Sequence, residues 1–227
     1  MKQRTTRRIS HSSPFMLNDF SDVTDIMFYA PFEVLTNEQL KSVGIWPSAV
    51  PDIFRPLTFN RYGVSFTGIG MLNENGGYEF WNPSFDHPVS LVKPGLSFIP
   101  SKVLPKSNVC IVFSNILDYL CFRTLLADKA LPEAWQLPYE EYSDTFILNA
   151  FSNFLSLQKA VEKYHTIHTF FPVADYGKVM NMTLSGVNPR NEDKLHDWSG
   201  LFSPIATSLH DFVRTYRRNV VDKGETN

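Results

Sequence analysis

Hydrophobic residues recur along this chain in two rhythms, and the change from one to the other divides it. From Leu35 the stretch LTNEQLKSVGI carries apolar residues at helical spacing, with Thr36 or Asn37 as the cap and Gly44 as the stop. That pattern predicts a short helix. Residues 55–83, RPLTFNRYGVSFTGIGMLNENGGYEFWNP, then gather aromatic and β-branched residues around Asn75-Gly76-Gly77. This is the composition of a hairpin or small antiparallel sheet. From about Val89 the rhythm changes. VCIVFS (109–114) is a continuous apolar run, the mark of a strand buried on both faces, and NILDYLCFRTLLAD follows it with helical spacing. TFILNA (145–150) followed by FSNFLSLQKAVEKY repeats the pair. Residues 166–171 and then YGKVMNMTLSG form a third, and IATSLHDFVRTYRR closes the chain as a last helix. Strands alternating with helices of this length predict βαβ units and a parallel sheet.

The expected fold class is therefore α/β: a mostly parallel sheet flanked by helices, preceded by a small α+β subdomain with an antiparallel hairpin. The expected divisions are a flexible basic tail at 1–14, the α+β unit at 15–88, the α/β unit at 89–221 and a flexible tail at 222–227. Ligands of such sheets sit beyond the carboxyl ends of the strands. Here that places them around Ser114-Asn115, Asn149-Ala150 and the stretch from Pro172 to Gly177.

Composition narrows the classes of partner. The chain has 227 residues, 43% of them hydrophobic, enough for a sizeable core. Lys plus Arg number 21 against 23 for Asp plus Glu, so no global field draws in a polyanion or a membrane surface and any such binding is local. The two cysteines, Cys110 and Cys121, lie in apolar runs without CxxC or Cys/His spacing, which argues against zinc and disulfides and fits a reducing cytoplasm. No apolar run approaches the roughly 18–20 residues needed to span a bilayer.

Several motifs stand in a telling order. Asn73, Gly76, Gly77, Tyr78, Glu79, Asn82, Pro83 and Phe85 match NxxGGYExxNPxF, and Val43-Gly44-Ile45 a preceding helix end. VFSNILDYLCF follows a strand ending in EGxxDxLS, LNAFSN follows LNxxSN, IHTFFPVADYG follows IHxFLDNDxAG, and SLHDFV follows DLNDxL. In this order they cover roughly Leu35 to Arg218. The chain thereby resembles the Toprim-containing, primase-like proteins of bacterial mobile genetic elements, in which a small DUF3991-type domain precedes a Toprim domain.

The resemblance implies a metal-dependent phosphotransfer site made of one glutamate after the first strand and an Asp-x-Asp after a later one. Mg2+ is a hard cation that needs oxygen ligands in near-octahedral geometry, and carboxylates at neighbouring strand ends supply charge and position together. At those positions this chain has Ser114, Pro172 and Ala174. Other motif residues remain: Asp118, Gly177 and Asp211. The expectation is a catalytically degenerate protein with no cofactor, serving as an accessory factor that associates with DNA, RNA, or a replication or mobilisation protein. Two alternatives stand beside it: an enzyme that binds Mg2+ through Asp118, Asp175 or Asp211, and a pure protein-interaction subunit. Asp175 otherwise reads as the cap of the following helix, with Gly177 permitting the turn.

Basic residues give the candidate nucleic-acid contacts: Arg4, Arg7 and Arg8 in the tail, and Arg214, Arg217 and Arg218 on the last helix. Cations at a helix C-terminus also complement its dipole. Tyr62, Phe66, Tyr78, Phe80 and Trp81 read as a base-stacking platform or as the core face of their sheet. His165 and His168 read as structural, His210 with Asp211 as a general-base pair or a half-exposed structural residue, and Ser114 lacks the surroundings of a nucleophile.

Overall fold

The structure is a computed structural model that describes residues 20, 23, 26–28, 34–103, 106–128, 136–186 and 194–224. Two five-stranded sheets form around three clusters of buried side chains. The first sheet is antiparallel throughout, in the order β1 (Ile26–Phe28), β2 (Arg55–Arg61), β3 (Val64–Leu72), β4 (Tyr78–Trp81), β5 (Val89–Leu91). Tyr62 and Gly63, with φ of 52° and 74°, make the tight turn between β2 and β3. Positive φ at both central residues is the hairpin turn that matches strand twist. The Asn75-Gly76-Gly77 hairpin forms as expected between β3 and β4. Phe20 bridges Leu91 of β5 while Ile26–Phe28 pair with β2, so this stretch touches both edges of the sheet and curls it around Phe20, Leu57, Phe59 and Phe80.

The second sheet has the order β10 (Leu195–Asp197), β9 (Thr166–Phe170), β7 (Val109–Phe113), β8 (Asp144–Ile147), β6 (Ser97–Ile99). The first four run parallel and β6 pairs antiparallel with β8. β7 is central and covered on both sides, as its unbroken apolar run requires. Ile111 and Phe113 join one buried cluster, Cys110 and Val112 the other. α2 (Ile116–Ala127) and α6 (Leu209–Gly224) pack on the first side. α3 (Phe154–Val161) and α4 (Asp175–Gly186) pack on the second.

Trp81, Ile69 and Met71 of the antiparallel sheet lie in the same cluster as Phe113, Tyr119 and Phe122. The two sheets thus share a core through α2, where Phe54 stacks on Tyr119 at 6.0 Å between ring centroids. Further ties are the Trp46 N–H donating to Thr124 Oγ1 at 3.2 Å and Arg123 donating to the Ala49 carbonyl at 3.0 Å.

Several boundaries differ from the sequence reading. α1 (Val34–Ser42) begins ahead of Thr36 and Asn37, so neither is its cap. β5 pairs with β4, carrying the first sheet to Leu91 rather than 88. α6 starts at Leu209, after a turn over 203–208, and continues to Gly224 into the stretch expected to be a flexible tail. The tail with Arg4, Arg7 and Arg8 lies outside the described residues.

Candidate functional site at the strand exits

The exits of β7, β8 and β9 meet the start of α6, and the tie between them is a buried carboxylate. Asn115 caps α2, its Oδ1 accepting from the N–H groups of Leu117 and Asp118 at 2.9 and 3.1 Å. This cap turns Asp118 inward, where it is 0% exposed. Its Oδ2 accepts from Asn115 Nδ2 at 3.0 Å, and its Oδ1 accepts from the His210 backbone N–H at 3.1 Å and from His210 Nδ1 at 3.3 Å. His210 Nε2 faces Asp211 Oδ1 at 3.5 Å. Asp211 Oδ2 accepts from Thr207 Oγ1 at 2.8 Å and Ser208 Oγ at 3.0 Å. The first turn of α6 thereby places one of its main-chain N–H groups on a buried carboxylate, while Ser208 takes the next two.

The electrostatics follow from this enclosure. Burial opposes a charge on His210, but the hydrogen bond and charge of Asp118, joined by the charge of Asp211, outweigh it and raise the imidazole above its ordinary range. Burial likewise pushes Asp211 up, and is outweighed by the Thr207 bond, the His210 charge and the Ser208 bond, so its carboxyl titrates below the usual range. His210 is thus engaged with both Asp118 and Asp211. The Asp118–His210 pair, 92 residues apart in sequence, is what sequence reasoning missed; the matching of both residues to separate motifs was its only signal.

The positions where the resemblance calls for carboxylates present something else. Ser114 is the first residue past β7, and its Oγ is buried without a hydrogen-bond partner. Asn149, two residues past β8, has left-handed backbone, φ 63°, its N–H donating to the Ser114 carbonyl at 2.8 Å and its Oδ1 also buried and unpartnered. Pro172 is buried and Ala174 exposed, neither with a donor atom in its side chain. The Val173 N–H donates to the Thr207 carbonyl at 2.9 Å, closing the β9 exit against the approach to α6.

Gly177 is required for a different reason from the one expected. A Cβ there would stand 2.0 Å from the Pro172 carbonyl oxygen, and its φ is not positive, so the need is close approach of α4 to the strand exit, not a turn. Asp175 is likewise corrected. It is the first residue of α4, not its cap, and its exposed carboxylate pairs with Lys178 at 3.9 Å.

A hard cation does not fit this donor set. Asp118 has both oxygens in hydrogen bonds and none of its surface open, Asp175 points to solvent, and Asp211 is held by Thr207, Ser208 and His210. Among the described residues no three His, Cys, Asp or Glu side chains gather where they would hold a metal ion. The unpartnered oxygens at the exits of β7 and β8, on Ser114 and Asn149, are buried and uncharged, and Mg2+ is held chiefly by carboxylates and phosphates.

The other candidates separate. His168 is a neutral acceptor: Trp198 Nε1 donates to its Nδ1 at 3.1 Å, its ring stacks on His196 at 5.0 Å, and burial together with His196 lowers its pKa to about 4. His165 is exposed, its backbone N–H donating to the Asn108 carbonyl. Phe80 and Trp81 are buried on opposite clusters and Phe66 stacks on Phe59, so these rings are core and not a platform; Tyr62 stands exposed at its turn. Arg214 is exposed on α6, and the side chains of Arg217 and Arg218 lie outside the described residues.

The chain is thus a mixed α/β protein whose strand exits are closed by a carboxylate–histidine tie. No family model matches it, and no curated protein does. Among solved structures it is similar to the primase fragment of the bacteriophage T7 primase-helicase protein, at 11% identity and a TM-score of 0.45, covering 95% of this chain and 81% of that one. A second is a structure of the bacteriophage T7 lagging-strand DNA polymerase interacting with primase domains bound to an RNA/DNA hybrid and dTTP. There the identity is 10% and the TM-score 0.36, covering 81% of this chain and 84% of that one. Likenesses this distant assign no role to any residue here. No helix among the described residues is long and apolar enough to cross a membrane.

Proposed function

We propose that this chain is a catalytically degenerate, primase-related protein of the Toprim-like type, an accessory factor of a mobile element that associates with nucleic acid or with a replication or mobilisation protein. One observation carries the reading. At the strand exits Ser114, Pro172 and Ala174 replace the ligands that metal-dependent phosphotransfer needs, and the buried carboxylate nearby, Asp118, ties α2 to α6. Such an exit keeps the scaffold and serves binding, with Arg214, Arg217 and Arg218 as the candidate phosphate contacts.

Thermal unfolding in millimolar MgCl2 or MnCl2 tests the loss of the metal site. A ligand at a hundred times its Kd adds about 2.7 kcal/mol of stability, so a bound cation would raise the Tm by several degrees. The expected result is no shift; a saturable rise, abolished by Asp118→Asn or Asp211→Asn, favours a surviving metal-dependent phosphotransferase or nuclease instead. Fluorescence-anisotropy titration with single- and double-stranded DNA separates the partner classes. Binding that weakens with salt and is lost in the Arg214→Ala, Arg217→Ala, Arg218→Ala triple variant supports nucleic-acid association. Absence of binding at low salt leaves the protein-interaction role.

A further inference from the structure

A cleft of about 390 Å³ opens where the two sheets meet, lined by Ile53, Arg55, Leu72, Tyr78, Phe98 and Pro100 among others. It lies away from the strand exits. Ile99 pairs with Thr145 near the beginning of β8, and the Ser101 N–H donates to Asp144 Oδ1 where that strand starts, so the cleft is toward the amino ends of the parallel strands.

Two strand edges flank it. β6 is the terminal strand of its sheet among the described residues, and the turn between β3 and β4 meets its outer edge at Leu96. The Leu96 carbonyl accepts from Glu74 on the outer side at 2.8 Å, and by the two-residue alternation of a strand the N–H and C=O of Phe98 face the same way. On the other wall, β3 runs past its partner: Gly70 pairs with Arg55, the first residue of β2, leaving Met71 and Leu72 beyond that strand. The side chains around these edges are aliphatic or aromatic and unusually open, with Ile53 at 43% exposure, Leu72 at 56% and Phe98 at 39%. One cation stands among them, the exposed Arg55, which has no carboxylate partner among the described residues.

We propose that this cleft binds an extended acidic–apolar peptide segment of a partner protein, which adds to the β6 edge, places apolar side chains on Ile53, Leu72 and Phe98, and sets a carboxylate on Arg55. Free strand edges recruit extended chains through main-chain hydrogen bonds, with flanking pockets giving specificity. A guanidinium pairs with a carboxylate through two parallel hydrogen bonds. A polynucleotide is the poorer fit: one guanidinium neutralises one phosphate, Ile53 and Leu72 offer no ring for a base, and the Phe98 ring already packs on Phe146 at 5.0 Å. The inference rests on the protein-binding part of the function proposed above and on none of the strand-exit residues.

The probe is a fluorescein-labelled hexapeptide alternating glutamate and valine, compared with its lysine–valine counterpart and with oligo(dT), measured by anisotropy on the full chain. The expected result is binding of the glutamate peptide, weakened about tenfold by Arg55→Glu with the preference reversed to the lysine peptide, and lost on N-methylating alternate backbone amides of the peptide. Leu72→Lys, a change at an exposed position, is expected to weaken it without altering the Tm. No binding of the glutamate peptide, equal binding of both peptides, indifference to Arg55→Glu, or oligo(dT) binding that Arg55→Glu abolishes in place of peptide binding overturns the proposal. Failure here leaves the Mn2+ and α6 arginine results untouched, so the two readings fall separately.

Discussion

Replacing Asp118 by alanine tests the tie between α2 and α6 most directly, because its sign depends on what the carboxylate does. As a structural anchor it accepts from Asn115 Nδ2, the His210 N–H and His210 Nδ1, at 3.0, 3.1 and 3.3 Å, while 0% exposed. Its removal strands the Asn115 amide and the His210 main-chain N–H and leaves the imidazolium with Asp211 and with Ser208 Oγ, 3.1 Å from its Nδ1. Breaking a buried, hydrogen-bonded ion pair in this way costs about 3–5 kcal/mol. For a chain of this size each kcal/mol moves the Tm by about 2–4 °C, so a fall of roughly 10 °C is expected by circular dichroism or calorimetry. A carboxylate kept for metal binding behaves the other way: without the cation it repels its acidic neighbours, and removing it raises the Tm. A double-mutant cycle with His210→Ala isolates the pair and is expected to give a coupling of about 1–3 kcal/mol. The pH dependence follows from the raised His210 pKa: the ionic part of the tie is complete below the unfolded imidazole value of about 6.5 and fades as pH rises through the higher folded-state value. The difference between wild type and Asp118→Asn is therefore larger at pH 6 than at pH 9. A Tm for Asp118→Ala equal to or above wild type, or additivity in the cycle, refutes the reasoning.

Three further outcomes are expected. Gly177→Ala puts a Cβ 2.0 Å from the Pro172 carbonyl, a backbone atom that cannot rotate aside, and is expected to cost roughly 1–3 kcal/mol in urea denaturation. Glu79, 1% exposed, is raised to about 7 by burial, against the opposing bonds of Asn73 and Ser90. Its contribution is present below the unfolded carboxyl value of about 4.5 and is lost as pH rises through 7, a loss of about 3 kcal/mol, and Glu79→Gln is expected to flatten that slope and to be the more stable protein at pH 8. His168 works in the opposite sense: its pKa of about 4 keeps it neutral in the fold, so its contribution is present above about pH 6.5 and is lost as pH falls toward 4. His168→Asn is expected to flatten the stability curve across that acid range.

Much of the second sheet is legible in the chain itself. An unbroken run such as VCIVF excludes solvent on both faces wherever it goes, so β7 and its following helix are fixed by local pattern. The Asn75-Gly76-Gly77 hairpin is local as well. The three-residue strands β1, β5, β6 and β10 were not, because three residues carry too little periodicity and their pairing is settled by what lies beside them. At the candidate site, the absence of carboxylates at Ser114, Pro172 and Ala174 is plain from the order of residues. The reason for Gly177 is not, since close approach to Pro172 exists only once α4 packs against the β9 exit.

What the sequence by itself determined is the alternation of strand and helix, the hairpin, and which side-chain chemistry stands at each strand exit, all properties of residues near one another in the chain. What only the tertiary structure decided is how that chemistry is engaged. Asp118 became a buried anchor because α6 brings His210 to it across 92 positions, and Arg55 faces an open apolar cleft because two sheets end there. Burial and partnership set the charge and reach of an ionisable group, and both are created by contacts between segments that no local pattern records.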